Sequence, residues 1–258
     1  MSVSREWNSL KAAWAVLLLF LAVRIFLSGQ FLLTPEEANY WQASQYPLSS
    51  GESHSPVLTG AIRLATGLFG NIEAAVRLPA TLALTLAAIY MTLLAASMFS
   101  WHTALHVALI SQSVFQLNIA ALVISPYSLL LPCWAAVCYH SSQAMYDNRV
   151  EQWLFAGFWF GVGLLCQLSM ALLLPCLMLC FVLIKPFRTC LLYAGPWFGF
   201  ILAMVVFLSI AILHGNIILI PVADLVEMKH IARNLVPDVS YTLQFILDQL
   251  VLLTPCLL

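Results

Sequence analysis

Residues 12–33 read AAWAVLLLFLAVRIFLSGQFLL, an apolar run in which Arg24 is the sole charge and proline is absent. A helix of that length rises about 33 Å, enough to cross a hydrocarbon core of about 30 Å. The run is too long for a signal-peptide core, and no small-residue cleavage site with a soluble domain behind it follows. It is a retained first span. The rest of the chain has the same character: of 258 residues, 62% are apolar and 8% charged, with a mean hydropathy of +0.95. Soluble domains carry about 25% charged residues, so this composition excludes an ordinary soluble enzyme, and a disordered chain equally. About 160 apolar residues suffice for roughly eight spans at about 20 residues each.

Further apolar runs lie at Leu78–Phe99, Ala104–Ile124, Tyr127–Tyr146, Trp153–Cys166, Leu168–Ile184, Leu191–Leu213 and Tyr241–Leu258. With the first, they predict an all-α polytopic membrane protein of about eight transmembrane helices. Around Gln167, with Gly161 and Gly163 before it, the alternatives are two short spans with a tight connection or one long kinked span; the former is favoured, because about 30 residues at 1.5 Å each overshoot the core. Residues 34–77 are the least apolar part and form a first loop, within which Val57–Phe69 has the pattern of an interfacial helix, with Thr59, Arg63, Thr66 and Gly67 on its polar side. Residues 214–240 form a second loop. The whole is one membrane domain, 1–258.

Loop charge gives the orientation. With the N terminus inside, inner segments hold Arg5, Lys11, Arg149, Lys185 and Arg188 against Glu6, Asp147 and Glu151, whereas the two outer loops hold four basic residues against seven acids. The excess of Lys and Arg predicts a cytoplasmic N terminus, with residues 34–77 outside. A net charge of -1 and the absence of any basic run exclude a nucleic-acid footprint. The seven cysteines lie in or beside apolar runs and predict neither a disulfide nor a zinc site; Cys176 and Cys180 share a helix face without any His or acid beside them.

Three hydroxyl–proline pairs, Thr34-Pro35, Ser55-Pro56 and Ser125-Pro126, each predict a helix start with the hydroxyl as N-cap and proline at the first position. The first of them opens TPEEANYWQASQYPLSSGESHSP, residues 34–56, where Glu36 and Glu37 precede Tyr40 and Trp41. Adjacent carboxylates at a membrane surface can act as a general base and a metal or hydroxyl ligand, and the aromatics can stack on a sugar or anchor at the interface. The same residues also satisfy a capping box from Thr34 to Glu37, which accounts for the acids without any substrate. His54 is a candidate phosphate or metal ligand, or else an ordinary loop histidine. Arg77 is a candidate phosphate ligand, or an interfacial anchor with its stem in the apolar layer. Arg24, costly in lipid, is expected to face the bundle, a donor phosphate or a carboxylate, with snorkelling as the alternative; Asp248 stands near the start of the last run. The remaining histidines, His102, His106, His140, His214 and His230, show no ligand spacing and carry no assigned role.

In order and spacing these motifs resemble membrane glycosyltransferases of the protein mannosyltransferase and aminoarabinose transferase type, the GT-C class. Glu36-Glu37-Ala38-Asn39-Tyr40-Trp41 resembles their Asp-Glu-Ala-Tyr-Tyr-Trp motif, and Ser53-His54-Ser55-Pro56-Val57-Leu58 their Asp-His-Pro-Pro-Leu motif. LFGNIEAAVRLPATL at 68–82, SPYSLLL at 125–131 and GVGLLCQLSMALLLP at 161–175 continue the likeness. The resemblance implies transfer of a sugar from a polyprenyl-phosphate donor to a lipid, glycan or protein acceptor at the outer face of a bacterial inner membrane. It implies Glu36 as base, Glu37 as partner acid, and Arg77, His54, Tyr40 and Trp41 around the substrate; Arg24 joins them as a candidate through its charge within the first span, not through the resemblance. No metal ligand is assigned, although a divalent ion is compatible with the chemistry.

The departures are specific: Glu36 replaces aspartate, Ser53 and Ser55 replace the acid and first proline of the second motif, Tyr127 replaces the acid of Ser-Pro-Asp, and Gln167 stands where lysine is common. They leave open a catalytically silent homologue that binds a polyprenyl lipid or a membrane partner. A transporter is disfavoured, because no inverted repeat is visible and the polar residues gather at one surface. Since members of this class continue through more spans, the resemblance also implies that these 258 residues are an N-terminal part.

Overall fold

The computed structural model describes residues 2–45, 55–147, 149–183 and 193–213, and among them the ordered structure is entirely helical. The helices are α1 (Ser2–Ser28), α2 (Pro35–Gln45), α3 (Pro56–Phe69), α4 (Glu73–Met98), α5 (Trp101–Ser113), α6 (Phe115–Leu122), α7 (Pro126–Asp147), α8 (Val150–Cys166), α9 (Leu173–Leu183) and α10 (Ala194–Leu213), with a 3-10 turn at Leu168–Leu172 before α9. The last apolar run, Asp248, the loop 214–240 and His54 lie outside the described residues.

Helix α4 is the hub, touching α1, α3, α5, α6 and α7, while α7 leads on to α8 and α8 to α10. Its composition explains the role: Ala75, Ala80, Ala83, Ala87, Ala88, Ala95, Thr81, Thr85 and Thr92 are all buried. Lipid tails are as apolar as leucine, so helices associate in a bilayer through close backbone approach at small residues rather than through apolar burial alone. Thr81 Oγ1 adds an interhelical bond to the Ala121 carbonyl at 2.9 Å. Helix α1 buries a narrow seam, Ala13, Leu17, Arg24 and Ser28, against α4 and α5, and leaves Leu18, Leu19 and Phe26 exposed. The tightest crossing is α8 on α10, where a Cβ at Gly157 would overlap the Gly199 carbonyl and one at Gly199 would stand 2.5 Å from the Trp153 carbonyl.

Glu6–Ser28 and Glu73–Met98 are long and apolar enough to cross a membrane, and a third span results if the bent pair α5–α6 counts as one. Helices α8, α9 and α10 are apolar but shorter by the same measure. This is an integral membrane protein of helices. The expected span Ala104–Ile124 is broken by 65° at Val114, without proline or glycine. Its cause is Asn118, whose Nδ2 donates to the carbonyls of Gln112 and Val114 at 2.8 and 3.1 Å and so enters the ladder of main-chain bonds. The expected break at Gln167 is present, as the junction of α8 with the 3-10 turn.

The hydroxyl–proline pairs cap as the sequence implies. Ser55 Oγ accepts from Leu58 N at 3.4 Å and donates to the Leu165 carbonyl at 2.9 Å, fastening α3 to α8. Ser125 and Ser128 exchange side-chain and main-chain bonds at the start of α7. Helix α3 ends at Gly70, whose N–H still reaches the Thr66 carbonyl at 2.9 Å and whose φ of 85°, open to glycine, turns the chain out of the helix. One expectation is corrected: Thr66 belongs to the buried side of α3 with Leu58, Ile62 and Ala65, its hydroxyl satisfied by the Ile62 carbonyl at 2.9 Å, while Leu64, Leu68 and Phe69 are exposed.

Candidate active site

Helix α2 begins with the capping box read from its sequence. Thr34 Oγ1 accepts from Glu37 N at 3.3 Å, and Glu37 Oε2 accepts from Thr34 N at 2.9 Å. The glutamate does more than cap. Fully buried, it also takes Arg77 Nη2 on Oε2 at 2.7 Å, and on Oε1 both Arg77 Nε at 2.9 Å and the Ile124 amide at 3.1 Å. Two oxygens with two donors each fill the acceptor capacity of a carboxylate. Burial pushes the Glu37 carboxyl up, but the Arg77 guanidinium and the Thr34 and Ile124 amides outweigh that and hold it below its ordinary range.

Arg77 is equally saturated. Its remaining donors reach the carbonyls of Ser28 and Phe31 through Nη1, at 3.0 and 2.8 Å, and of Leu32 through Nη2, at 2.8 Å. All five N–H groups therefore have protein partners. The guanidinium receives carbonyls at the end of α1, where a cation is favoured by the helix dipole. One ion pair thus joins four segments: the end of α1, the start of α2, the first turns of α4 and the α6–α7 turn.

Glu36, one residue earlier, is exposed. Tyr40 lies one turn on, half-buried, with its phenol pushed up first by burial and then by the negative charge of Glu36 and by Tyr127. Tyr127, 61% exposed at the start of α7, therefore belongs to the same electrostatic neighbourhood as Glu36 and Tyr40. Trp41 packs on the core and donates from Nε1 to Asn71 Oδ1 at 3.3 Å, tying α2 to the α3–α4 turn.

Arg24 lies one turn before Ser28 on α1 and is 3% exposed. It bonds Asn118 Oδ1 from Nε at 3.3 Å and Nη2 at 2.9 Å, with the Phe20 ring 6.0 Å away. A void of about 10 Å³ adjoins it, lined in part by Ser111 and Gln112, and Gln112 Oε1 is buried there without a partner. That volume is about one water, too small for a phosphate.

Of the residues singled out from the sequence, Glu36, Glu37, Tyr40 and Trp41 are brought together on α2, and Arg77 is bonded to Glu37. Arg24 is held separately by α6. Sequence reasoning missed Asn118, although an amide within an apolar run is itself a signal. It also missed the Ile124 amide, which no side-chain pattern announces. The acid pair does not suit a metal ion, because Glu37 has no acceptor position left, and no three His, Cys, Asp or Glu side chains cluster as metal ligands among the described residues.

A family model described as dolichyl-phosphate-mannose-protein mannosyltransferase matches residues 53–212, more than half of the chain. The chain belongs to that family. The matched segment contains Arg77, Asn118 and Tyr127 and begins after α2. Membership of this mannosyltransferase family implies glycosyl transfer of the GT-C type and a setting among membrane lipids. No curated protein and no solved structure matches the chain.

Proposed function

We propose that this chain transfers a sugar from a polyprenyl-phosphate donor to a hydroxyl acceptor, with Glu36 as the base. The observation that carries the reading is the contrast between two adjacent acids: Glu37 is buried and saturated, whereas Glu36 is exposed and its charge acts on the Tyr40 phenol one turn on. In the reaction the Glu36 carboxylate takes the acceptor's proton as the acceptor oxygen bonds the anomeric carbon. The bond from that carbon to the phosphate oxygen breaks, and polyprenyl phosphate leaves with the electron pair.

Glu37 and Arg77 are positioning residues in this scheme, since neither has a free acceptor or donor for substrate. His54, ahead of α3, is the phosphate ligand, and Tyr40, Trp41 and Tyr127 flank the sugar. Arg24 is a framework residue, because the void beside it admits no phosphate. Eight spans, an outward α2 and a bacterial inner membrane complete the reading, supported by loop charge and composition. The acceptor is a lipid, glycan or protein hydroxyl.

The test is transfer of label from radiolabelled polyprenyl-phosphate sugars by the purified chain in detergent. Replacing Glu36 by Gln is expected to lower turnover by about 10²–10⁴-fold with unchanged melting. A second reading, a silent homologue that binds the lipid, is favoured by Tyr127 in place of an acid; donor binding without turnover in any variant would establish it.

A further inference from the structure

Helix α5 starts beyond the far end of α4, about 30 Å along that helix from Arg77 at 1.5 Å per residue. Ser100 caps it, accepting from Thr103 N, and Ala104, Ala108 and Ser111 form its buried side. His102 and His106 lie on the opposite, exposed side, four positions apart. Their rings are 4.7 Å apart between centroids and tilted by 54°. His106 Nδ1 lies 2.8 Å from the His102 carbonyl.

Each of these facts has a counterpart in metal coordination. Residues four apart on a helix share a face and can close on one ion. A carbonyl can only accept, so Nδ1 of His106 donates to it, which fixes the tautomer and leaves Nε2 with its lone pair free for a ligand bond. Such a bond from the other ring nitrogen to a main-chain carbonyl is the usual support behind a metal-binding histidine. Distance agrees as well. Two imidazoles bound at about 2.1 Å, at an angle of about 90–109° to each other, place their ring centres about 4.5–5.2 Å apart. The observed 4.7 Å lies inside that window.

We propose that His102 and His106 form a two-histidine chelate for a divalent transition-metal ion, zinc or copper(II) being the class that imidazole favours. The remaining coordination positions are left to ligands from outside the helix. Binding would fasten the first turn of α5 to the second, and it is separate from the acid pair on α2 both in distance and in ligand chemistry. His140 offers the contrast. Its Nδ1 is bonded to Gln152 Oε1 at 2.7 Å, and its ring lies among Tyr90, Tyr139 and Phe155, so it is held inside the bundle rather than presented on a face.

The experiment is zinc titration of the full chain in detergent, freed of polyhistidine tags and stripped with chelator, read by competition with a chromogenic zinc indicator. One zinc per chain is expected, with affinity falling at least about tenfold in His102→Ala and in His106→Ala and unchanged in His140→Gln. Melting of the wild type should rise with zinc and return on adding chelator. Absence of saturable binding overturns the proposal, as does binding that both single changes leave intact. Either exposed position suffices alone should the other variant fail to fold.

Discussion

Arg77 and Glu37, forty positions apart, meet through two parallel hydrogen bonds, Nε to Oε1 at 2.9 Å and Nη2 to Oε2 at 2.7 Å, with both side chains out of contact with solvent. The pair is fully bonded on both sides, which offsets the desolvation of two charges. Removing one partner leaves the other charge buried alone. Glu37→Gln and Arg77→Leu are each expected to lower stability by about 3–5 kcal/mol, measured by thermal melting in detergent. A loss under about 1 kcal/mol in both would contradict the four-segment junction.

The same pair sets an acid limit. Glu37 titrates below its unfolded value, so its contribution is complete above about pH 4.3 and is lost as pH falls further through the folded pKa. The melting-temperature gap between wild type and Glu37→Gln should stay constant from pH 8 to about pH 5 and close under more acid conditions. A gap that closes near neutrality would assign the stabilisation to another group.

Asn118 carries two duties, accepting from Arg24 through Oδ1 and donating to the Gln112 and Val114 carbonyls through Nδ2. Asn118→Leu leaves a buried guanidinium and the Gln112 carbonyl short of partners, while the Val114 carbonyl keeps the Asn118 main-chain N–H, at a cost of about 1–3 kcal/mol or more. Adding Arg24→Met should recover part of that loss. Melting of the four members of the double-mutant cycle gives the coupling, and strict additivity would show that the two side chains act independently.

How far the sequence reveals all this depends on the kind of interaction. Thr34, Ser55 and Ser125 were legible as caps because capping is local, set by a hydroxyl, a proline and the following turn. The break at Gln167 was legible from length alone. The kink at Val114 was not, because Asn118 makes it through side-chain bonds that no period in the sequence encodes. The acid pair was half legible: the capping box predicted Glu37's contact with Thr34, but its bonds to Arg77 and to the Ile124 amide join segments forty and eighty-seven positions away. His102 and His106 have the same four-residue spacing as Cys176 and Cys180, but the approach of their rings and the bond from His106 Nδ1 to the His102 carbonyl are not encoded in that spacing.

Ser55 stands where the related motif has proline, and the structure gives the serine its own work. Its hydroxyl caps α3 and bonds the Leu165 carbonyl on α8. Ser55→Pro removes both interactions and is expected to cost about 1–2 kcal/mol. If melting is instead unchanged or raised, the α3–α8 fastening lies elsewhere.

Two glycines should respond to the same substitution with opposite sign. Gly157 faces the Gly199 carbonyl so closely that an added methyl must push α8 from α10, whereas Gly60, exposed on α3, has nothing within 4 Å of a Cβ. Gly157→Ala is therefore expected to destabilise by about 1–3 kcal/mol through overpacking. Gly60→Ala should stabilise by about 0.5–1 kcal/mol, because alanine in a helix loses less backbone freedom on folding. Melting both variants against wild type in one detergent decides the matter: a Gly157→Ala variant as stable as wild type or more so would mean that the α8–α10 backbones stand farther apart than their glycines allow, and a destabilised Gly60→Ala that its position is not open.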